Sequence, residues 1–485
     1  MNNRRQFVRG LSSLAALPVL PLHVSSANAA DTSGYKALVC VFMFGGNDSH
    51  NTLVPYDQTA YNTYAAARGG LAEQNGLALP RSSLLPVTPA GLPANSWGFH
   101  PAMTQSRSLF SAGNLAVVAN VGSLLYDTTL QQYQNGTAIL PPQLFSHSDM
   151  QTHWQTMRPD VLATTGWGGR LADVFGSASS GLLPVSVSVG PAGTFMKGSI
   201  VSPYQVNPIT YNPSGAIELT SRIARPPLAE SAGDTIARPQ DVFLANAAAK
   251  RGNLLEQQYA KLVRDSAEVG EFVTNAMYNV SGGNYSLKNA PPGTWSKTNK
   301  LSAQLHSVAA MIAARQALGG TRQVFYVSMG GFDNHGDQFG RDGATGNKTL
   351  LSGKHFELMR RFDEAIDSFY SSITAMGVAN NVTLMTMSDF GRALKSNGQG
   401  SDHGWGGHMM VMGGAISGGQ IFGTMPPVAL NTSVDVGEGR LLPTLSSDAY
   451  CATLTRWLGA TSSDLAQIFP NLSRFGIKDI AGLLP

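Results

Sequence analysis

"KALVCVFMFGGNDSHN", residues 36–51, is the stretch on which the fold turns. After Lys36 it is apolar up to Gly45-Gly46, with none of the alternation that a half-solvated strand would show. A continuous apolar strand is what a sheet covered on both faces requires. Three further stretches read the same way: "NLAVVANVG" (114–122), "RQVFYVSMGG" (322–331) and "NVTLMTMSDFG" (381–391). Between them lie helical periodicities. One places Leu301, Leu305, Val308, Ala309 and Ile312 on a single face, and the other Phe356, Met359, Phe362, Ile366 and Phe369. Strands alternating with helices predict an α/β fold with a doubly wound, mostly parallel central sheet flanked by helices.

The pattern that closes the first strand, Gly-Gly-x-Asp-x-His, returns in "VSMGGFDNHG" (327–336). Ligands of open α/β sheets bind beyond the carboxyl ends of the strands. Asp48 and His50 follow one strand, Asp333 and His335 another, and Asp389 a third, so three strand ends bring Asp to one rim. "GSDHGWGGHMMVMGG" (400–414) adds Asp402, His403 and His408. Mixed Asp and His ligands suit Zn, Mn or Fe, and an all-Asp site suits Ca or Mg. The candidate ligands are thus Asp48, His50, Asp333, His335, Asp389, Asp402, His403 and His408, with Zn, Mn, Fe and Ca open. Any one Asp after a strand is as readily a helix cap, and a lone His is more often hydrogen-bonded structure. Their coincidence at strand ends favours a cluster. In "PPQLFSHSDMQTHWQT" (141–156), Ser146 stands at a predicted helix start, where it is either a nucleophile or the N-cap. His147 and Asp149 are ligands or partners that orient them.

Composition narrows the class. With 43% hydrophobic and 13% charged residues the chain is a globule whose surface is largely uncharged. "NRRQFVRG", an apolar run and Ala27-Asn28-Ala29 predict a twin-arginine signal peptide over 1–29, and hence export to the periplasm or beyond. The run is interrupted by prolines and too short to span a bilayer, so no stable membrane span is expected after cleavage. Removing Arg4, Arg5 and Arg9 leaves 30 basic against 30 acidic residues. A neutral chain without basic clusters lacks the footprint for nucleic acid. Cys40 and Cys451 would either pair in an oxidising periplasm or stay as buried free thiols, the second reading being favoured. The mature chain, 30–485, reads as one domain with a cap-like insertion over about 175–300, and residues 71–101 as a surface excursion.

"FMFGGNDSHNTLVPYD", "FHPAM", "FSHSDMQTHWQT", "LSAQLHSVAAMIAARQ", "VSMGGFDNHGDQ", "MSDFGRALKSNGQGSDHGWGGHMMVMGGAISGGQIFG" and "TLTRWLG" together resemble the exported bacterial family called domain of unknown function 1501. That family is similar to the alkaline phosphatase and sulfatase superfamily. The resemblance implies an alkaline phosphatase-like domain with one or two metal ions at the carboxyl edge of the sheet. Within it Ser146 resembles the nucleophile, Asp48, Asp333, His335, Asp389 and His403 the ligands, and Arg392 a clamp for an anionic oxygen. Two features depart from the superfamily. Phe390 stands where a His ligand is often found, and Ser146 lacks the Cys-x-x-x-Arg context of formylglycine sulfatases. The implied activity is metal-dependent hydrolysis of a small phosphate or sulfate ester. The alternative is an exported, non-catalytic binding or assembly protein on the same scaffold.

Overall fold

The computed structural model describes residues 30–176, 183–191, 193–201, 204–206, 253–281 and 284–485. The expected signal segment and much of the expected insertion lie outside the described residues. The central sheet has nine strands: β1 (Lys36–Phe44), β2 (Leu115–Gly122), β3 (Ser186–Val189), β4 (Tyr204–Val206), β5 (Arg322–Gly330), β6 (Val382–Ser388), β7 (Gly407–Gly413), β8 (Ile421–Phe422) and β9 (Leu445–Ser446). Their order is β8-β2-β7-β6-β1-β5-β3-β4, with β9 also paired to β2. β7 runs antiparallel to both its neighbours, and every other pairing in the sheet is parallel.

β1 is apolar throughout because it serves two cores. Ala37, Val39, Val41 and Met43 enter one hydrophobic cluster, while Leu38, Cys40 and Phe42 enter the other. Successive strand residues point to opposite faces. The first cluster is covered by α4 (Lys300–Ala313) and α5 (Lys354–Ala375), numbered after α1 (Thr104–Ser111), α2 (His147–Thr156) and α3 (Trp167–Gly176). Leu301, Leu305, Val308 and Ile312 pack there against Met359, Phe362, Ile366 and Phe369. The second is covered by α2, α3, α6 (Ser447–Leu458) and α7 (Ser462–Ile468), through Trp154, Phe175, Leu454 and Ile468. Each large apolar side chain taken out of water contributes roughly 1.5–3 kcal/mol. The two covered faces are therefore the main source of stability. Cys40 and Cys451 are buried here as free thiols. Among the described residues no helix is long and apolar enough to cross a membrane.

Two regions differ from the sequence reading. Residues 71–101 are not a surface excursion, because Leu85–Val87 and Trp97–Phe99 form a small antiparallel sheet with Leu53–Pro55. Leu77, Ala78 and Leu79 are buried beneath it, in a turn-rich stretch too short for a periodic signal. Within the expected insertion, β3 and β4 extend the main sheet beside β5.

The register brings three strand ends side by side, pairing Phe44 with Gly330 and Met43 with Ser388. Because β7 is antiparallel, its beginning at Gly407 meets the same rim. The paired glycines after β1 allow the close approach this needs. Gly45 (φ 113°) lies where an added Cβ would be 2.3 Å from the Asp333 amide nitrogen, and a Cβ on Gly46 (φ 81°) would be 2.4 Å from the Phe390 ring. Neither φ suits an L side chain. We predict that Gly45→Ala destabilises the protein by about 3 kcal/mol or more in chemical denaturation, since the obstructing atom is backbone. Wild-type stability in this variant would show that the β1 and β5 ends need not touch.

Candidate metal centre

His147, Asp333 and His403 reach one point on the rim from separate elements. His147 is the first residue of α2, Asp333 follows β5, and His403 closes a hairpin formed by Arg392–Ser396 and Ser401–His403. Four nitrogens surround Asp333 Oδ1: Arg392 Nη2 at 2.6 Å, His335 Nε2 at 3.0 Å, His147 Nε2 at 3.4 Å and His403 Nε2 at 3.6 Å. Phe390 supplies an apolar wall, its ring 4.9 Å from that of His147 and 4.6 Å from that of His403.

Hydrogen bonds fix the tautomers of two of these histidines. His147 Nδ1 lies 2.7 Å from Oδ2 of the buried Asp389, which also accepts from Gln151 Nε2 (2.8 Å) and the Gly45 amide (3.2 Å). Oδ2 already serves as the acceptor of the Gln151 and Gly45 N–H groups, and the His147 nitrogen that faces it fits the same role as donor, with the ring proton on Nδ1. His403 Nδ1 lies 2.5 Å from the Phe145 carbonyl oxygen, which can only accept. Phe145 has φ 72°, a left-handed conformation uncommon for a residue other than glycine. In the neutral form of either ring Nε2 is therefore left with a lone pair. Both Nε2 atoms are buried without a hydrogen-bond partner, and both face an anionic oxygen.

The electrostatics match a cation. The Asp389 bond raises the basicity of His147 against the opposing effect of burial. Burial lowers that of His403. Burial alone would lift Asp333, but Arg392 and the nearby histidines outweigh it and hold the carboxyl below its ordinary value. His147, Asp333 and His403 form one group able to hold a metal ion, and His335, Asp402 and His403 form a second. His₂Asp and its neighbours suit a transition metal better than a Ca site made of oxygen ligands.

The remaining expected residues fall elsewhere. Asp48 turns inward, ion-paired with fully buried Arg68 and accepting from Gln338 Nε2 at 2.6 Å. The structure does not bring it to the Asp333 group. His50 and His408 pack edge to face, ring centroids 5.1 Å apart, and His408 Nδ1 accepts the Asn120 amide at 3.1 Å. They too lie outside the metal-capable groups. Asp389 backs His147. Arg392 is buried, donating to the carbonyls of Gly45 (2.6 Å), Gly46 (3.0 Å), Phe332 (3.0 Å) and Ser401 (2.9 Å) as well as to Asp333. Its geometry suits holding the rim rather than reaching a substrate. Ser146 precedes α2 without a side-chain cap bond, and its Oγ donates to Asp149 Oδ2 at 2.6 Å.

Sequence reasoning did not single out Arg68, Phe145, Gln151 or Arg440. Gln151 alone left a signal, one helical turn after His147 and so on the same face. Arg440 donates to Asp402 Oδ2 at 2.6 Å from a stretch without any motif.

A family model described as "Protein of unknown function (DUF1501)" matches residues 35–442. No curated protein matches the sequence. One similar solved structure bears a title on the metabolism of multiple glycosaminoglycans by Bacteroides thetaiotaomicron and a label ending in "sulf". It is 10% identical, with 89% of this chain and 74% of that chain covered at a TM-score of 0.33.

Below the rim, burial pushes His50 and His355 down to about 4 despite the attraction of Asp48, and pushes His100 and His408 well below the ordinary imidazole value. The unfolded chain takes up these protons below about pH 6.5 and the folded chain does not. Stability is thus full above that pH and is lost as pH falls from about 6.5 to about 4. We expect on the order of 3 kcal/mol to be lost for each of His50 and His355. A pH series of denaturation midpoints checks this, and a flat profile between pH 7 and 4 would refute it.

Proposed function

The chain belongs to the DUF1501 family, and from that premise we propose that it is an exported, metal-dependent hydrolase of phosphate or sulfate esters. One observation carries the reading: two buried, unpartnered Nε2 lone pairs, on His147 and His403, converge on the carboxylate oxygen of Asp333. Arg392 meets that oxygen from one side, and a metal ion between it and the two imidazoles would supply the partner their lone pairs lack. His147, Asp333 and His403 would hold a divalent ion of the Zn, Mn or Fe type. When bound, such an ion supplies Lewis acidity toward an ester oxygen.

The chain's own residues do the rest. Asp389, steadied by Gln151 and Gly45, orients His147, and the Phe145 carbonyl orients His403. Ser146 offers a hydroxyl at the start of α2, where free amides and the helix dipole favour an anionic group. Its proton has an acceptor at hand in Asp149. Attack of Oγ on phosphorus or sulfur would pass that proton to Asp149 and release the alcohol, which takes a proton from solvent; water would then cleave the seryl ester, free phosphate or sulfate and restore the Ser146 hydroxyl, with Asp149 giving up its proton. Phe390 excludes water from one side of the imidazoles.

One observation favours the other reading, an exported binding or assembly protein. Arg392, the residue expected to clamp an anionic oxygen, is committed to the carbonyls of Gly45, Gly46, Phe332 and Ser401. The two readings separate on metal content and turnover. We expect about one equivalent or more of transition metal by plasma mass spectrometry, lost in His147→Ala/His403→Ala, and hydrolysis of an aryl phosphate or an aryl sulfate. Ser146→Ala should keep the metal and lose at least about 100-fold in kcat. Metal without turnover on either ester class would support the binding protein, and a folded chain that takes up no metal would defeat the hydrolase.

A further inference from the structure

The two metal-capable groups share His403, and that overlap has a chemical limit. His403 Nδ1 is committed to the Phe145 carbonyl, so the residue has one lone pair to give, at Nε2. One lone pair ligates one ion. The inner group (His147, Asp333, His403) and the outer group (His335, Asp402, His403) therefore cannot both be completed at the same time.

We propose that they are two stations for a single ion: an inner one where it rests, and an outer one through which it enters and leaves. This rests on the metal-dependent reading above and adds its stoichiometry and route. Charge ranks the stations. The inner one has Asp333 and, directly behind His147, Asp389, against one guanidinium from Arg392. The outer one has Asp402 alone, already paired with Arg440 at 2.6 Å and accepting the His403 amide at 2.8 Å. One net negative charge against none favours the inner station for a divalent cation. Both histidines of the inner station have their Nδ1 protons anchored, which prepares Nε2 for binding. His335 differs in that its Nε2 lies 3.0 Å from Asp333 Oδ1, a ligand of the inner station, and not from a group outside both stations.

Exposure and position suit the outer group for transit. The groups share His403, and their carboxylates Asp333 and Asp402 are equally exposed at 48%, so the difference lies in the second histidine: His335 is 40% exposed and His147 28%. His335 also spans the gap, with Nε2 3.0 Å from Asp333 Oδ1 and Nδ1 3.8 Å from Asp402 Oδ1. An ion on the outer ligands is thus one imidazole away from the inner carboxylate.

The test uses the full chain, stripped with a chelator and then titrated with Zn²⁺, with bound metal counted after gel filtration. One equivalent is expected. Two tightly held equivalents would overturn the proposal while leaving the hydrolase reading intact, whereas none would remove both. Stopped-flow loading and chelator-driven release then separate the stations. His335→Ala should still bind one equivalent, with both rates at least about 10-fold slower and Kd changed far less. His147→Ala should weaken Kd by at least about 100-fold. Asp402→Asn serves as the second outer variant, and circular dichroism confirms that each chain is folded. If the outer variants lose affinity as much as His147→Ala, or exchange Zn²⁺ at wild-type rates, the two-station account is wrong.

Discussion

A single buried guanidinium holds the rim together. Arg392 joins the turn after β1, through Gly45 and Gly46, to Phe332 and Asp333 after β5 and to Ser401 in the hairpin ahead of β7. A charge this deeply buried is tolerable only when its donors are met, and here backbone carbonyls and a carboxylate meet them. The constraint is mutual. The glycines must be bare for the loops to close to hydrogen-bonding distance, and once closed they leave the guanidinium no other place. Asp333 is held at the centre of three imidazoles as a result. Its position follows from the packing of strand ends and does not depend on the flexibility of its own loop.

The duplicated Gly-Gly-x-Asp-x-His motif has two outcomes, and the backbone explains the difference. After Gly45-Gly46 the chain enters a helical turn at Ser49–Thr52 and dives under the rim, so Asp48 and His50 are buried. After Gly330-Gly331 it stays in an open loop, and Asp333 and His335 remain half exposed. The first copy becomes a floor in which Asp48 is neutralised by Arg68 and hydrogen-bonded by Gln338. The second carries Asp333 and His335 to the candidate centre. Two like sequences thus supply a buried ion pair below and a cation-seeking cluster above.

Much of the fold was legible because burial on both faces leaves continuous apolar runs, and β1, β2, β5 and β6 carried that mark. The three strand-end Asp residues were legible for the same reason, since a strand's end fixes where the next residues emerge. Which way they then turn was not. That choice depends on partners distant in sequence: Arg68 draws Asp48 inward, and Gln151 with Gly45 holds Asp389 as support for His147. His408 seemed equivalent to His403 because the two lie in one Gly-rich stretch. It is instead the second residue of β7, where strand alternation commits it to the interior beside His50. Arg440 sits in a loop with no periodicity at all, so only the fold reveals its bond to Asp402.

The lone antiparallel strand has a consequence for how such a protein can diversify. β6 delivers the chain to the rim at Asp389, and β7 takes it away from the same rim at Gly407 without any crossover through the helical layers. The intervening segment, with its hairpin, Asp402 and His403, therefore hangs from one edge like a cassette. It can lengthen, shorten or exchange its ligands without rethreading a strand, so long as Arg392 keeps its carbonyls. The chain that carries Asp333 instead runs on through a short hairpin, Gly340–Arg341 with Lys348–Thr349, to α5 on one covered face of the sheet. The Asp402 and His403 side of the rim is thus joined to the sheet by two adjacent strands alone, and the Asp333 side by a strand and a helix.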